Sequence, residues 1–219
     1  MNLAALRQRT REFLDDYEGI PRFSDVRIDA ALNESQIEAC KRSDLIVSTV
    51  VIAMTNGVGI YTLPDTAMKV KRVKYKARVL TPVLISQMDV NNDSSANWQA
   101  VDGTPSSYMI DAQTHEILLD KFVSTVSVDD KLEIVLISLP TVPLVLDTDA
   151  PQIADHLTMS LCYWAVSLLL SDSDPDTQDP NKVERFAAKY AAVFGEPITA
   201  LALNQRINNT RVRARARFL

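Results

Sequence analysis

The chain has 219 residues, 47% of them hydrophobic, and its 23 lysines and arginines against 28 aspartates and glutamates give a net charge of −5. This size and composition allow one substantial core, or one core with an inserted smaller layer, and exclude a disordered protein. The best candidate for a membrane span, Leu157 to Leu170, is too short, and the charged N-terminus lacks a signal-peptide core, so we expect neither membrane insertion nor export.

The N-terminal segment has helical periodicity. Apolar residues recur at intervals of three or four from Leu3 to Tyr17, and Gly19 and Pro21 end that pattern. A second helix is predicted to begin after an N-cap at Ser24 or Asp25 and to end near Arg42. The chain therefore opens with a pair of helices.

β-Branched and aromatic residues dominate from Leu45 onward. The run GVGIYTLP, from Gly57 to Pro64, predicts a turn, a short strand and a proline that ends the strand. A polar loop, NNDSSANWQAVDGTPSS, separates it from later strands. The further predicted strands are Val70 to Tyr75, Ser107 to Asp111, Glu116 to Leu119 and Lys131 to Leu139.

Helical periodicity returns after the proline-rich link from Pro140 to Pro143. It predicts a buried helix from about Ile153 to Leu168, a second helix from Asn181 to Phe194 and a shorter one from Ile198 to about Ile207. The helices from both ends of the chain are predicted to pack as one bundle, with these residues in or near its core: Leu161, Trp164, Leu168, Phe186 and Phe194.

The order of elements predicts an α+β fold. In this interpretation a helical bundle carries an inserted β domain, sandwich or barrel-like, and ends in an extended basic arm. The predicted segments are 1–44 for the N-terminal helices, 45–150 for the β insertion, 151–205 for the C-terminal helices and 206–219 for the arm.

The titratable residues do not form a recognisable catalytic or metal-binding pattern. His115 lies in a predicted hairpin, and His156 follows Asp155 on a helix, where adjacent side chains point in different directions. Cys40 and Cys162 lack a CxxC or Cys/His neighbour. They are predicted to be buried free thiols, which fits a reducing cytoplasm.

Two partial binding motifs are also incomplete. The pair of glycines at Gly57 and Gly59 lacks the third glycine, the following helix and the lysine of a phosphate-binding loop. The aspartates at 172, 174 and 176 have the spacing of calcium ligands, but Thr177 replaces the required glycine and Val183 the twelfth, acidic ligand. We therefore predict no catalytic residue, no cofactor and no metal.

Basic residues alternate along the segment from Met68 to Val79, which also contains Tyr75. This pattern fits either a nucleic-acid-binding strand or an ordinary half-exposed strand. The acidic balance of the chain and the lack of an RNA-binding aromatic signature favour the ordinary strand. Its register would then direct Lys69, Lys71 or Arg72 toward a neighbouring acidic subunit.

The C-terminus carries the opposite charge to the rest of the chain. From Arg206 onward there are five arginines and no acidic residue, which leaves 18 basic and 28 acidic residues before it. In an extended conformation Arg211, Arg213, Arg215 and Arg217 lie on one face, and the other carries Val212, Ala214, Ala216 and Phe218. The arginines suit carboxylates, and Phe218 with Leu219 suits an apolar pocket. Contact with DNA and a solvated tail without a partner are the alternatives.

Taken in order, these features resemble the head-to-tail adaptor, or connector, proteins of tailed bacteriophages. Two motifs carry the resemblance: Y-x-L-P after a glycine turn, at Tyr61 to Pro64, and G-x-P-x-x-Y, at Gly103 to Tyr108. They lie between the N-terminal helical pair and a strand that ends in ISLPTVP, which the final helical hairpin follows. The resemblance covers roughly residues 1–205.

The resemblance implies a structural, non-enzymatic virion protein at the head-tail interface, assembled in the host cytoplasm. Such adaptors form a ring, typically of twelve subunits, that docks on the portal protein after DNA packaging and provides the platform for a tail or nozzle protein. A C-terminal extension reaches into the portal. The expected portal-binding residues here are Arg211, Arg213, Arg215, Arg217, Phe218 and Leu219. The alternative is a nucleic-acid-binding protein that uses the arginine-rich tail, for example on packaged DNA.

Overall fold

A computed structural model describes residues 1–16, 21–91, 100–111, 114–171 and 179–197. They form two compact units, which we call the helical unit, residues 1–46 and 138–197, and the β unit, residues 47–137. The fold is mixed α+β, with helices and two sheets. The predicted helix from Ile198 to Ile207 and the basic arm, 206–219, lie outside the described residues.

The described elements, numbered in chain order, are α1 (Leu3–Leu14), α2 (Asp25–Arg42), β1 (Val47–Ala53), β2 (Ile60–Thr62), β3 (Ala67–Tyr75), β4 (Arg78–Val79), β5 (Thr81–Pro82), α3 (Ile85–Asn91), β6 (Ser107–Asp111), β7 (Glu116–Leu119), β8 (Lys131–Ser138), α4 (Asp155–Thr158), α5 (Leu161–Ser171) and α6 (Pro180–Phe194).

Polar side chains begin the longer helices, as their sequences indicate. Asn2, Ser24 and Asp179 each accept a hydrogen bond from a backbone N–H in the first turn of α1, α2 and α6. The bounds predicted for α2 are therefore confirmed. The prediction for α1 was too long, because Asp15 adopts a left-handed conformation (φ 58°) that ends the helix at Leu14.

The helix predicted from Ile153 to Leu168 is instead two helices. After α4 ends at Thr158, backbone bonds of the tighter i to i+3 kind connect Ser160 N to Leu157 O (3.0 Å) and Cys162 N to Met159 O (3.2 Å). The Thr158 hydroxyl also donates to the Asp155 carbonyl at 2.8 Å. These tighter turns replace regular α-helical bonding between α4 and α5, which accounts for the break.

The core of the helical unit takes apolar side chains from both ends of the chain. Leu161, Phe186 and Phe194 are buried as predicted, the half-buried Trp164 packs against this core, and Leu168 is half-buried. Ser35 Oγ on α2 donates to the Leu161 carbonyl at 2.8 Å, and Tyr190 Oη on α6 donates to the Ser35 carbonyl at 2.7 Å. These two bonds connect α2, α5 and α6 inside the core, where an unpaired polar group would be costly.

The β unit contains two four-stranded sheets, ordered β1-β8-β3-β4 and β2-β7-β6-β5. Strand β8 alternates exposed Lys131 and Glu133 with buried Leu132 and Ile134, as expected for a strand with one face in a core. Buried side chains from both sheets form one cluster: Val73, Tyr75, Leu132, Ile134 and Leu136 from the first, and Tyr61, Tyr108, Ile117 and Leu119 from the second.

Four predicted strands are present, two of them, Ser107–Asp111 and Glu116–Leu119, with the predicted bounds and two with small shifts. The strand predicted from Val70 begins at Ala67, and the one predicted to end at Leu139 ends at Ser138. The short helix α3 was not predicted, because its seven residues contain no N-terminal capping pattern. The β-rich region was recognised from Leu45, but β1 was not delimited as a strand.

Candidate interaction surfaces

The six residues predicted to bind the portal, Arg211, Arg213, Arg215, Arg217, Phe218 and Leu219, lie outside the described residues. Their role therefore stays a prediction. The described part of the chain shows the surroundings of the histidines and cysteines and the surfaces that are exposed to solvent.

The two histidines occupy different surroundings. His115 lies in the turn between β6 and β7 with a φ of 60°, and its Nε2 is 3.2 Å from the Pro64 carbonyl. His156 is exposed on the short helix α4. Among the described residues, no three or more His, Cys, Asp or Glu side chains come together as metal ligands would.

Both cysteines are buried and unpaired. Burial raises the pKa of the Cys40 thiol to about 12 and that of Cys162 to about 11, because the charged thiolate loses its hydration. A thiol held protonated in a core is a poor nucleophile and a poor metal ligand. These residues act as small apolar core side chains.

The two motifs that carry the family resemblance are structural. Tyr61 is buried, its hydroxyl donates to the Val58 carbonyl at 2.9 Å and accepts from the Thr55 amide at 3.3 Å, so it closes the glycine turn that precedes β2. Tyr108 lies in the same core. Gly103 has a φ of 148°, a conformation that side chains disfavour, which explains a glycine at the start of the second motif.

A buried carboxylate fixes the second motif. Asp120, at the end of β7, accepts hydrogen bonds from the Ser106 amide (2.9 Å), the Ser107 amide (3.0 Å) and the Ser106 hydroxyl (2.6 Å). These three bonds hold the segment before β6 against β7. We call this arrangement the Asp120 brace.

The basic strand β3 is partly neutralised within its own unit. Lys74 Nζ lies 3.5 Å from a carboxylate oxygen of Glu133 on β8, and Lys76 Nζ lies 2.8 Å from Asp130. The hydrogen bond from Lys76 lowers the pKa of Asp130. Of the four basic residues in β3, Lys71 and Arg72 are exposed and Lys69 and Lys74 are half-buried, so the strand does not offer a continuous basic track. This supports the ordinary half-exposed strand over a nucleic-acid groove.

A loop in the helical unit exposes three large apolar side chains, Val142, Val145 and Leu146, at 58%, 68% and 63%. We call this surface the 142–146 patch. Single exposed apolar residues are common, but several close together on one loop are typical of a contact surface. Asp147, which follows directly, is also exposed and adds a carboxylate at its border.

Side chains from the helices and the loop itself hold this loop in one conformation. Asn33 pairs with both backbone groups of Leu144, accepting at 2.8 Å and donating at 3.0 Å. Asp149 accepts from the amides of Val145 (2.9 Å) and Leu146 (2.8 Å), and Arg7 bridges Asp147 and Asp29. The patch is thus presented by a pre-ordered backbone, which lowers the entropic cost of binding.

From sequence, the proline-rich segment Pro140 to Pro143 was predicted only as a link between the β strands and the following helices. The overlooked signal is the run VPLVLDTD, in which apolar residues continue through a proline-containing link that would normally be polar. One of them, Leu144, is buried and anchors the loop, while its neighbours are exposed.

Within the described residues, every helix is too short or too polar to span a lipid bilayer. A family model described as SU10 adaptor protein matches residues 1–217 of the chain. No curated protein matches the chain. The family match confirms the resemblance drawn from Tyr61 to Pro64 and Gly103 to Tyr108. The chain belongs to the SU10 adaptor protein family, a family of phage head-to-tail adaptors.

Proposed function

We propose that this phage adaptor is a structural virion protein that docks as a ring on the portal and provides the attachment platform for the tail or a nozzle protein. The observation that carries the proposal is the family match over residues 1–217. A ring of twelve subunits is the number expected for such adaptors. Docking would follow DNA packaging in the host cytoplasm, and the protein would remain at the head-tail interface of the virion.

The proposed portal contact is the arm, residues 206–219. Its five arginines without an acid contrast with the 28 acidic residues that precede them, so the arm suits an acidic partner. The proposed contact residues are Arg211, Arg213, Arg215, Arg217, Phe218 and Leu219. The guanidinium groups of the arginines would bind carboxylates of the portal, and the side chains of Phe218 and Leu219 would enter an apolar pocket on it.

The unbound protein is expected to be monomeric or weakly associated. The chain is acidic before Arg206, and bodies of the same charge repel each other at low salt. The 142–146 patch supplies an apolar surface for a neighbour within the assembled structure. Membership of an adaptor family and the burial of both thiols support a structural rather than an enzymatic role.

Deletion of residues 208–219 tests the arm. The truncated protein should fold and melt nearly unchanged, while cosedimentation with purified portal is lost. Normal attachment of the truncated protein would show that the arm is not the docking element.

Substitutions separate the two kinds of contact. Replacing Arg211, Arg213, Arg215 and Arg217 by glutamine should weaken attachment in a salt-dependent way, and Phe218→Ala should weaken it equally at low and high salt. A matched control removes four exposed positive charges elsewhere, with glutamine at Lys41, Arg78, Lys131 and Arg185. If the control loses as much attachment as the arm variant, net charge rather than the arm governs docking.

The arm also keeps a second candidate open. Five arginines and no acid from Arg206 onward suit the phosphates of packaged DNA. A gel-shift assay at moderate salt distinguishes the candidates: DNA binding without portal attachment favours this alternative, and portal attachment without a DNA shift favours the adaptor contact.

A further inference from the structure

Strand β1 is an edge strand of its sheet. It pairs with β8 on one side, from Val47 opposite Ile137 to Ala53 opposite Lys131. The other sheet edges, β2, β4 and β5, contain three, two and two residues. Among the described strands, the seven-residue β1 is therefore the longest open edge.

The register shows which backbone groups of β1 face outward. Met54 N donates to Asp130 O at 3.0 Å, so these two residues form a hydrogen-bonded pair at the end of the ladder. Because such pairs alternate in an antiparallel ladder, β8 binds the peptide groups of Ser48, Val50 and Ile52. The N–H and C=O groups that point away from β8 belong to Val47, Thr49, Val51 and Ala53. Within the described part of the chain, we find no hydrogen-bond partner for them.

The β1 edge lacks the sequence features that usually prevent an edge strand from pairing with another chain. No charged residue occurs from Leu45 to Pro64, and the strand has neither a proline nor a break in its register. Val47 and Val51 are 53% and 55% exposed on one face. A long, uncharged, apolar edge of this kind is a template for another strand.

We propose that β1 pairs with β1 of a second copy of this chain in an antiparallel, two-fold symmetric arrangement. The outward-facing residues are spaced symmetrically about Val50, so Val47 would face Ala53 of the partner subunit and Thr49 would face Val51 of the partner subunit. Each such pair exchanges two backbone bonds, giving about eight across the contact.

Charge favours a second copy as the occupant. The chain has a net charge of −5, so most of its surfaces repel the same surface on another copy. The β1 edge carries no charge and places apolar side chains opposite apolar or small ones. A contact of this size is small for a stable dimer, so we expect a dissociation constant on the order of 100 µM.

This inference does not depend on the proposed docking function. A two-fold contact joins two copies and cannot extend into a ring, so the pairing belongs to the unbound protein. It is also compatible with weak association before docking. Portal attachment can therefore be lost while the β1 pairing remains, and the β1 pairing can be lost while portal attachment remains.

A single cysteine tests the symmetry. In the proposed register Val50 faces its own copy in a non-hydrogen-bonded pair, where the Cα atoms are about 4.5 Å apart, within the range of a disulfide. Val50→Cys should give a covalent dimer on oxidation. The matched control is Ile52→Cys, whose copies would lie roughly 14 Å apart. The native thiols are buried, so the unchanged protein should form no covalent dimer on oxidation and serves as the negative control.

Paired charges test the register without relying on a half-buried position. Thr49→Lys with Val51→Lys places like charges opposite each other and should weaken dimerisation by about tenfold or more in sedimentation equilibrium. Thr49→Lys with Val51→Glu places opposite charges together and should retain it. Both positions are exposed, so both variants should fold. Equal crosslinking of the two cysteine variants, or a wild-type protein monomeric at millimolar concentration, would overturn the proposal.

Discussion

The helical unit and the β unit are assembled from different kinds of sequence segment. The helical unit joins residues 1–46 to residues 138–197, whereas the described β unit is one continuous segment, 47–137. Accordingly, Ser35 bonds across 126 positions to Leu161, while the Asp120 brace spans 14 positions to Ser106. Packing between distant segments thus joins the helical unit, whereas the β unit combines short-range contacts such as the brace with longer ones, such as the Val126 amide donating to Asn56 Oδ1 across 70 positions.

The largest expected effect is in the helical core. Leu161 is fully buried between segments from both chain ends, so Leu161→Ala should lower the free energy of unfolding by about 2 to 5 kcal/mol. Leu168→Ala on the same helix is the matched control, because its side chain is only half-buried and should cost less. Chemical denaturation measures both. A negligible cost for Leu161→Ala would remove this residue from the core that joins the two segments.

The second effect concerns the brace. Asp120→Ala removes the acceptor of three hydrogen bonds at a site 8% exposed, and should cost about 1 to 3 kcal/mol. Asp102 makes a similar pair of bonds to Ser124, but at an exposed site, so Asp102→Ala should cost clearly less. Thermal unfolding of the two variants shows whether the loss of stability depends on the burial of the carboxylate or on the number of hydrogen bonds that it accepts. Equal losses of stability would show that burial of the carboxylate does not determine the cost of removing it.

At neutral pH the smallest effect comes from the two buried thiols of the helical unit, whose contribution to stability changes only in alkaline solution. Burial raises the pKa of Cys40 to about 12 and that of Cys162 to about 11, from the ordinary value of 9.0. The unfolded chain therefore ionises these thiols first, so the stability they contribute is complete below pH 9.0 and is lost progressively above it. Replacing both by alanine should flatten the fall in stability between pH 9 and 11. An unchanged slope would show that these two thiols do not cause it.

Local signals predicted the elements whose ends depend on neighbouring residues. Helix α2 was predicted from its Ser24 cap, and the glycine turn before Tyr61 was predicted from the residues that form it. The break before Leu161 was missed because it lies in the tighter backbone bonding of Ser160 and Cys162, which hydrophobic periodicity does not reveal.

The surfaces were harder to predict than the elements. The 142–146 patch depends on Asn33, 111 positions from Leu144, and the open edge of β1 depends on which strand becomes its neighbour. Both are consequences of tertiary structure. The portal-binding residues of the arm, by contrast, were predicted from charge and alternation alone and stay a prediction.

Imaging the protein mixed with its purified portal tests the central claim most directly. The account predicts a ring of adaptor subunits on one end of the portal, with a symmetry that matches it. Portals without added density, or scattered copies without a ring, under conditions where the protein shifts DNA, would contradict the account.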